Sequence, residues 1–194
     1  MAGGWLAPPD WAHAAGDGLE PGTLSLALAG TDLTQKADTA MYEDDEGRLD
    51  AAEQLAEHNT HAAAEAFSVI ACDGAVADEV RLSAAEHLAA INPGVAAPAC
   101  LAIARDQAVA DEIRLSAAEQ LAAVDPPAAA PACLVIACDG TVADEIRLSA
   151  AEQLATINPG VAAPACLAIA RDAEVGDEVR LSATEQLAAL DARA

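Results

Sequence analysis

One pattern of apolar and polar residues recurs every 33 residues along most of this chain. The phrase at 78–93 reads DEVRLSAAEHLAAINP, and it returns at 111–126 as DEIRLSAAEQLAAVDP and at 144–159 as DEIRLSAAEQLATINP. A fourth close copy occupies 177–191, and a degraded copy, DEGRLDAAEQLAEHN, occupies 45–59. Self-similarity at a fixed period of this length is typical of proteins built from stacked repeats.

The repeated phrase predicts an α-helix with a broad apolar surface. On a helical wheel, Val80, Ala84, Leu88 and Ile91 fall on one side, and the neighbouring Leu and Ala positions widen the apolar arc to about 200°. A helix with so wide an arc is covered on several sides, as helices inside a stack are. The aspartate that opens each phrase favours an N-cap, with Glu in the first turn. The predicted N-caps are Asp78, Asp111, Asp144 and Asp177.

The segment between two copies of the phrase predicts another helix. It opens with Asn or Asp followed by Pro, and this pair is a strong signal for a helix start. A second proline follows five residues later and is expected to kink the helix or to delay its start. The opening pairs are Asn92-Pro93, Asp125-Pro126 and Asn158-Pro159, and the later prolines are Pro98, Pro131 and Pro164. Because Cys72, Arg105, Cys138 and Arg171 alternate at one position, a 66-residue double unit overlies the shorter repeat.

An arginine recurs inside the apolar arc of every phrase. A buried guanidinium is costly unless it is paired and hydrogen-bonded. Carboxylates recur with the same period, both in the loop before each phrase and at its first residue. They are candidate partners for the arginine guanidinium. We therefore predict an Arg–Asp ladder along the stack, with a structural role. Its arginines are Arg48, Arg81, Arg114, Arg147 and Arg180, and its loop aspartates are Asp73, Asp106, Asp139 and Asp172.

These features together resemble HEAT and HEAT-like repeats. The resemblance rests on alternating helices, an Asp near the end of the first helix, a proline within it, and a D-x-[VI]-R start to the second. The short period and the VR-x-x-AA-x-x-L phrase resemble the variety found in phycobilin-lyase-type arrays. The resemblance implies an all-α fold, an α-solenoid of about five 33-residue helical hairpins. It also implies two functions, a protein-binding scaffold or an accessory enzyme that handles a chromophore.

The chain is predicted to have three parts. Residues 1–22 form an irregular N-terminal segment rich in Gly, Pro and Ala, which contains Trp5 and Trp11. Residues 23–44 form a degenerate N-terminal helix and loop that act as a cap. The HEAT-like repeat array occupies 45–194. Terminal repeats are commonly atypical because one of their sides lacks a neighbour.

Composition and charge narrow the partners of such an array. Ala supplies much of a hydrophobic content of 54%, aromatic residues reach only 2%, and Ala is the strongest helix former. The formal net charge is −23, so the clustered Lys and Arg that bind phosphates are lacking, and we predict no nucleic-acid and no membrane partner. A basic protein or peptide is the expected partner. With no basic start to a signal sequence and no apolar run of about 18 residues, the expected location is cytoplasmic.

A row of glutamates recurs on the narrow polar sector of the arginine-bearing helices, which we expect to line the inner curve of the solenoid. The row predicts a binding surface for a basic peptide, although exposed charge is also ordinary on a solvated helix. A third interpretation is an acidic mimic of nucleic acid that binds a basic protein. The candidate partner-binding surface comprises Glu53, Glu86, His87, Glu119, Gln120, Glu152, Gln153 and Glu185.

No catalytic motif accompanies the repeat, so we expect no enzyme, no cofactor and no metal site. His58 and His61 lie near Glu57 and Glu65, but a zinc site needs three or four converging ligands. Equivalent helices lie about 8–10 Å apart, beyond the reach of a disulfide, so the five cysteines are predicted to be buried and reduced. The face of the last repeat, where Thr184 replaces an Ala, predicts a homo-oligomer through the C-terminal repeat face.

Overall fold

A computed structural model describes residues 45–192 of the chain. The predicted irregular segment at 1–22 and the predicted cap at 23–44 lie outside the described residues, as do 193–194. Nine α-helices occupy the described range. They are α1 (Asp45–Ala56), α2 (Thr60–Cys72), α3 (Asp78–Ile91), α4 (Pro93–Arg105), α5 (Asp111–Val124), α6 (Pro126–Cys138), α7 (Asp144–Ile157), α8 (Pro159–Arg171) and α9 (Asp177–Asp191).

The helices form two layers. Each helix packs against the next one along the chain, and helices two apart also contact each other. The even-numbered helices, here called the A helices, therefore stack into an A layer, and the odd-numbered B helices, which carry the repeated phrase, stack into a B layer. No strand occurs between residues 45 and 192. The prediction of an all-α solenoid of stacked helical hairpins is confirmed for this part of the chain.

The A helices begin where the Asx-Pro pairs predict. Helices α4, α6 and α8 start at their first proline, whose missing N–H would have no partner inside the helix. The Asp125 side chain accepts a hydrogen bond from the backbone N–H of Ala128 at 3.2 Å. The expected delay of the start to the second proline is wrong, because each helix runs through that proline without a break. Proline has no N–H to donate to the carbonyl one turn earlier. Because Pro98 and its equivalents are exposed, water can donate to that carbonyl instead.

The B helices begin differently from the prediction. The predicted aspartate N-caps are wrong, because each aspartate is the first helical residue and the N-cap is the Ala or Gly before it. An arginine competes for the carboxylate, since Arg81 Nη1 donates to Asp78 Oδ1 at 3.3 Å. The other carboxylate oxygen can accept a hydrogen bond from the backbone of the next repeat. Asp45 Oδ2, for example, accepts the backbone N–H of Ala77 at 2.9 Å.

The core repeats the same side chains at the same places. Each complete hairpin buries one Leu from its B helix, one Ile from its A helix and one Val from the loop, surrounded by alanines. Small alanines let the helices approach closely, and the larger side chains supply most of the buried area. The buried leucines are Leu55, Leu88, Leu121 and Leu154, and the isoleucines are Ile70, Ile103, Ile136 and Ile169.

We expect Leu121→Ala to lower the free energy of unfolding by about 3 kcal/mol, because it leaves a cavity beneath a fully buried position. The matched control is Leu181→Ala, at a leucine that is 61% exposed, which should cost no more than about 0.5 kcal/mol. Denaturant unfolding followed by circular dichroism measures both values. Equal losses in the two variants would contradict the assignment of Leu121 to the core.

Candidate functional site

The predicted partner-binding surface lies on the B layer. Glu86 and Glu119 are exposed, as are the glutamates at the equivalent positions of the other three B helices. His87 is exposed too, whereas Gln120 and Gln153 are half-buried. Successive B helices contact each other, so the glutamates form one row that crosses the layer with one carboxylate per helix.

These side chains bond to one another from helix to helix. Gln120 Nε2 donates to Glu86 Oε1 at 3.4 Å, and Gln153 Nε2 donates to Glu119 Oε1 at 3.3 Å. Gln186 continues the series by donating to Glu152 Oε1 at 3.1 Å. Gln186 lies outside the predicted partner-binding surface, although it occupies the repeat position of the other two glutamines. We call this series, with the His87–Glu53 contact below, the Glu–Gln ladder.

A histidine replaces glutamine at the first rung of the Glu–Gln ladder. His87 Nε2 lies 2.9 Å from Glu53 Oε1. The His87 ring also stacks on Phe67, with ring centroids 5.1 Å apart and planes inclined by 10°. Phe67 stands where the later A helices carry the smaller cysteines, so among the four A helices that the structure describes only α2 offers an aromatic ring beneath the rung. The rung at α1 and α3 thus has both a polar and an apolar support.

The Arg–Asp contacts join one repeat to the next. Arg48 Nη1 lies 3.2 Å from Asp73 Oδ2, and the corresponding Arg81–Asp106 distance is 3.5 Å. In the third such pair, Arg147 Nη2 lies 3.3 Å from Asp172 Oδ2. These arginines are almost fully buried. Each reaches from its B helix to the loop that follows the next A helix.

Arg81 and Arg147 also bind the A helix that precedes them. Arg81 Nε donates to the backbone carbonyl of Ala71 at 3.4 Å, and Arg147 Nε does the same to Ala137. One guanidinium therefore connects three helices. Carbonyl groups in the last turn of a helix are without intrahelical donors, so a cation is well placed there.

Arg114 departs from this pattern. Its Nη1 donates to Asp111 Oδ1 at 2.9 Å, but within the described chain its buried Nε and Nη2 atoms have no hydrogen-bond partner. The predicted mate, Asp139, forms no ion pair with Arg114, and its Oδ1 accepts hydrogen bonds from the hydroxyl and the backbone N–H of Thr141. These bonds, with a smaller contribution from Arg114, hold the pKa of Asp139 below its usual 3.8. The structure therefore brings three of the four predicted loop aspartates into contact with an arginine.

The cysteines divide into two classes. Cys100, Cys133 and Cys166 are buried, and burial raises the pKa of the Cys100 and Cys133 thiols to about 11. Cys72 and Cys138 are exposed at the ends of their A helices, so the prediction that every cysteine is buried is wrong for these two. The sequence indicates the exposure of these two cysteines, because exposed arginines occupy the same position in the alternate repeats.

The histidines considered as metal ligands do not converge on one point. His61 is exposed and lies 3.7 Å from Glu65, one turn further along α2. His58 lies in the exposed turn between α1 and α2. Among residues 45–192, no group of three or more His, Cys, Asp or Glu side chains is arranged to hold a metal ion.

Comparisons with family models, with curated proteins and with solved structures find no match to this chain. In the part of the chain that the structure covers, every helix falls short of the length and apolar character that crossing a membrane requires.

We expect Arg147→Met to destabilise the protein by about 2 kcal/mol, because Asp172 and the Ala137 carbonyl lose a buried, charged donor. Arg171→Met is the matched control, since it removes the same charge from an exposed position. It should change stability by no more than about 0.5 kcal/mol. The denaturant midpoints of the two variants measure both changes. A control as destabilised as Arg147→Met would contradict the structural role of Arg147.

We expect two of the five thiols to react quickly with a disulfide reagent at neutral pH, and Cys72→Ser to leave one fast thiol. The other three should react only after unfolding. Five equally fast thiols would contradict the burial of three of them.

Folding raises the pKa of Cys133 from 9.0 to about 11, so the folded state holds this proton more tightly. The stability that this provides is complete below pH 9.0 and falls as the pH rises to about 11.

Proposed function

We propose that this chain is an acidic helical-repeat scaffold that binds a basic protein or peptide along its B layer. The observation that carries the proposal is the row of exposed glutamates that the Glu–Gln ladder holds in register. Each rung engages the Oε1 atom of its glutamate, and a carboxylate has a second oxygen with which to accept a hydrogen bond from Lys or Arg.

The charge of the B layer supports this proposal. Each B helix carries three or four carboxylates and one arginine, and that arginine lies inside the stack in α1, α3, α5 and α7. The outer surface of the layer is therefore strongly negative. Such a surface attracts a basic chain at long range and speeds the encounter.

The regular spacing also supports a segment that contacts several repeats at once. Every repeat presents the same carboxylate at the same height, so a partner with basic residues at regular intervals can make several similar contacts. A single exposed ion pair contributes at most about 1 kcal/mol. Linked contacts add to a useful affinity because the later ones are intramolecular.

We infer further that the array is of the HEAT type, on the strength of the D-x-[VI]-R start of the B helices and the proline within the A helices. Five free cysteines fit a reducing compartment, and we propose the cytoplasm. The proposal gives the chain no catalytic role and no cofactor.

The test compares two triple variants that remove the same charge. Glu86→Gln, Glu119→Gln and Glu152→Gln together neutralise the ladder row, while Glu79→Gln, Glu112→Gln and Glu145→Gln neutralise exposed glutamates in the first turns of the same helices. The probe is a fluorescent peptide of alternating Lys and Ala residues, titrated at low and moderate salt. The ladder variant should bind about tenfold more weakly than the first-turn variant.

Each substitution in the ladder row retains an amide oxygen that can accept the rung hydrogen bond. We therefore expect the fold to be kept, and circular dichroism checks this for both variants. Equal weakening in both variants would mean that the peptide responds to total charge alone, which would contradict a specific surface on the ladder row. Unchanged binding in the ladder variant would contradict it as well.

A further inference from the structure

Three kinds of polar contact join a B helix to the hairpin that follows it. The first is an Arg–Asp pair, and the second is a rung of the Glu–Gln ladder. The third is a hydrogen bond from the backbone just before the next B helix to the first aspartate of the helix itself. We name each junction by its leading B helix, so the α5 junction joins α5 to the hairpin of α6 and α7. The junctions differ in how many of these contacts they have.

The α1 and α7 junctions, toward the two ends of the described array, have all three contacts. At the α7 junction Asp144 Oδ2 accepts a hydrogen bond from the backbone N–H of Gly176 at 3.0 Å, as Asp45 does from Ala77 at the α1 junction. The Arg–Asp pairs and the ladder rungs described above complete both sets. Between residues 45 and 192, the α3 junction has two of the three contacts, the Arg–Asp pair and the rung.

The α5 junction has the fewest polar contacts. Within the described chain it has one of the three kinds, the exposed hydrogen bond from Gln153 Nε2 to Glu119 Oε1 at 3.3 Å. Arg114 and Asp139 form no ion pair in this range, where Asp111 pairs with Arg114 and accepts no hydrogen bond from the next repeat. Polar contacts therefore hold the array least firmly near its middle.

Arg114 adds a free-energy cost at the same junction. It is 2% exposed, and among the residues that the structure describes its Nε and Nη2 atoms have no hydrogen-bond partner. In Arg81 and Arg147 the Nε atom donates to a backbone carbonyl of the preceding A helix. Buried donors without acceptors destabilise the closed state, and separation of the helices lets water accept from them. Opening at the α5 junction therefore costs less than opening where the guanidinium is fully bonded.

Apolar packing does not offset this difference, because neighbouring junctions bury the same side chains. Each buries one leucine from its B helix with one isoleucine and one cysteine from the next A helix, all of them 0% exposed. These are Leu88, Ile103 and Cys100 at the α3 junction, Leu121, Ile136 and Cys133 at the α5 junction, and Leu154, Ile169 and Cys166 at the α7 junction. In stacked repeats each interface contributes its own free energy, so the interface with the weakest contacts opens first.

We propose that the array opens locally at the α5 junction more readily than at the α3 and α7 junctions, and that the α5 junction is a hinge. Opening there divides the glutamate row between Glu119 and Glu152 and leaves the contacts on either side intact. The array can then change its curvature at one place near its middle. The proposal rests on contacts inside the stack and is independent of the peptide binding proposed above.

The three buried cysteines are matched probes of the three junctions. Burial raises the pKa of the Cys133 thiol to about 11, and the nearby Glu119 carboxylate on α5 raises it further, so this thiol lies toward the B helix of its junction. Glutamates of α3 and α7 act in the same way on Cys100 and Cys166. A buried thiol reacts only when the helices around it separate, so its rate reports the opening of its own junction.

The experiment labels the full chain with N-ethylmaleimide under native conditions, in a variant with Cys72→Ser and Cys138→Ser that removes the two exposed thiols. Mass spectrometry after digestion gives the labelling rate of each remaining cysteine, and each rate is divided by that of the same thiol in denaturant. We expect Cys133 to label at least about tenfold faster than Cys100 and Cys166, because its junction has neither the Arg–Asp pair nor the aspartate–backbone bond.

Two arginine variants test the cause of the opening. Arg147→Met should speed the labelling of Cys166 at least about tenfold, because the α7 junction loses its Arg–Asp pair. Arg114→Met should leave the labelling rate of Cys133 within about twofold, because it removes two buried donors that have no partner among residues 45–192. Circular dichroism checks that both variants fold. The comparison of the three thiols with both arginines present does not depend on either variant.

Two results would overturn the proposal. The first is a Cys133 that labels no faster than Cys100 and Cys166; a common rate for all three would mean that the array opens as one unit. The second is an Arg114→Met variant that speeds Cys133 labelling as much as Arg147→Met speeds that of Cys166. That result would mean that Arg114 stabilises its junction as Arg147 does.

Discussion

Helices α1, α3, α5 and α7 each place an arginine where water is almost excluded, and the stacked helices around it supply the groups that can satisfy that charge. Removing a guanidinium from water costs several kcal/mol, which only well-placed acceptors offset. Arg147 finds them in the Ala137 carbonyl of one A helix and in Asp172 after the next. Because these acceptors belong to elements on either side, the charge is satisfied only when neighbouring hairpins stack in the correct register. The arginine therefore specifies the stack as well as stabilising it.

The same arrangement separates the two surfaces of the molecule. Since the arginines of α1, α3, α5 and α7 are used inside the stack, the exposed glutamates of these helices form no ion pair with them, and the B layer becomes acidic. The A helices supply carbonyls, alanines and small apolar side chains to the interior and need little charge of their own. The acidic ladder row and the scarcity of charged residues on the A helices thus both accompany the arginines that lie inside the stack.

Much of the fold could be predicted from the sequence because the same helix pattern occurs in several copies. The period gave the hairpins, and the Asx-Pro pairs gave the starts of the A helices. The aspartate N-caps were wrong because Arg81 competes for the Asp78 carboxylate one turn away, and a helical wheel does not weigh that competition. The exposure of Cys72 could have been predicted from its equivalence to Arg105, because an arginine without a recurring acidic partner favours a position that faces water.

The candidate site was predictable in part. The glutamate row follows from the period alone, and its role in binding stays a prediction. The Glu–Gln ladder could not be derived, because the hydrogen bond from Gln120 to Glu86 depends on how far one B helix is shifted along its neighbour. The missing mate of Arg114 could not be derived either, because Asp139 has the same place in the repeat and the same Oδ1 turn bond as the aspartates that do contact an arginine through Oδ2. Such choices are made by tertiary packing.

A double-mutant cycle on Arg147 and Asp172 tests the central claim most directly. The two single variants, Arg147→Met and Asp172→Asn, and the double variant are unfolded in denaturant alongside the unaltered chain, and the coupling free energy is taken from the four stabilities. The account predicts that the two residues stabilise each other by about 1 kcal/mol or more. A coupling within experimental error of zero would mean that the pairing of Arg147 with Asp172 does not stabilise the stack, and it would contradict the account.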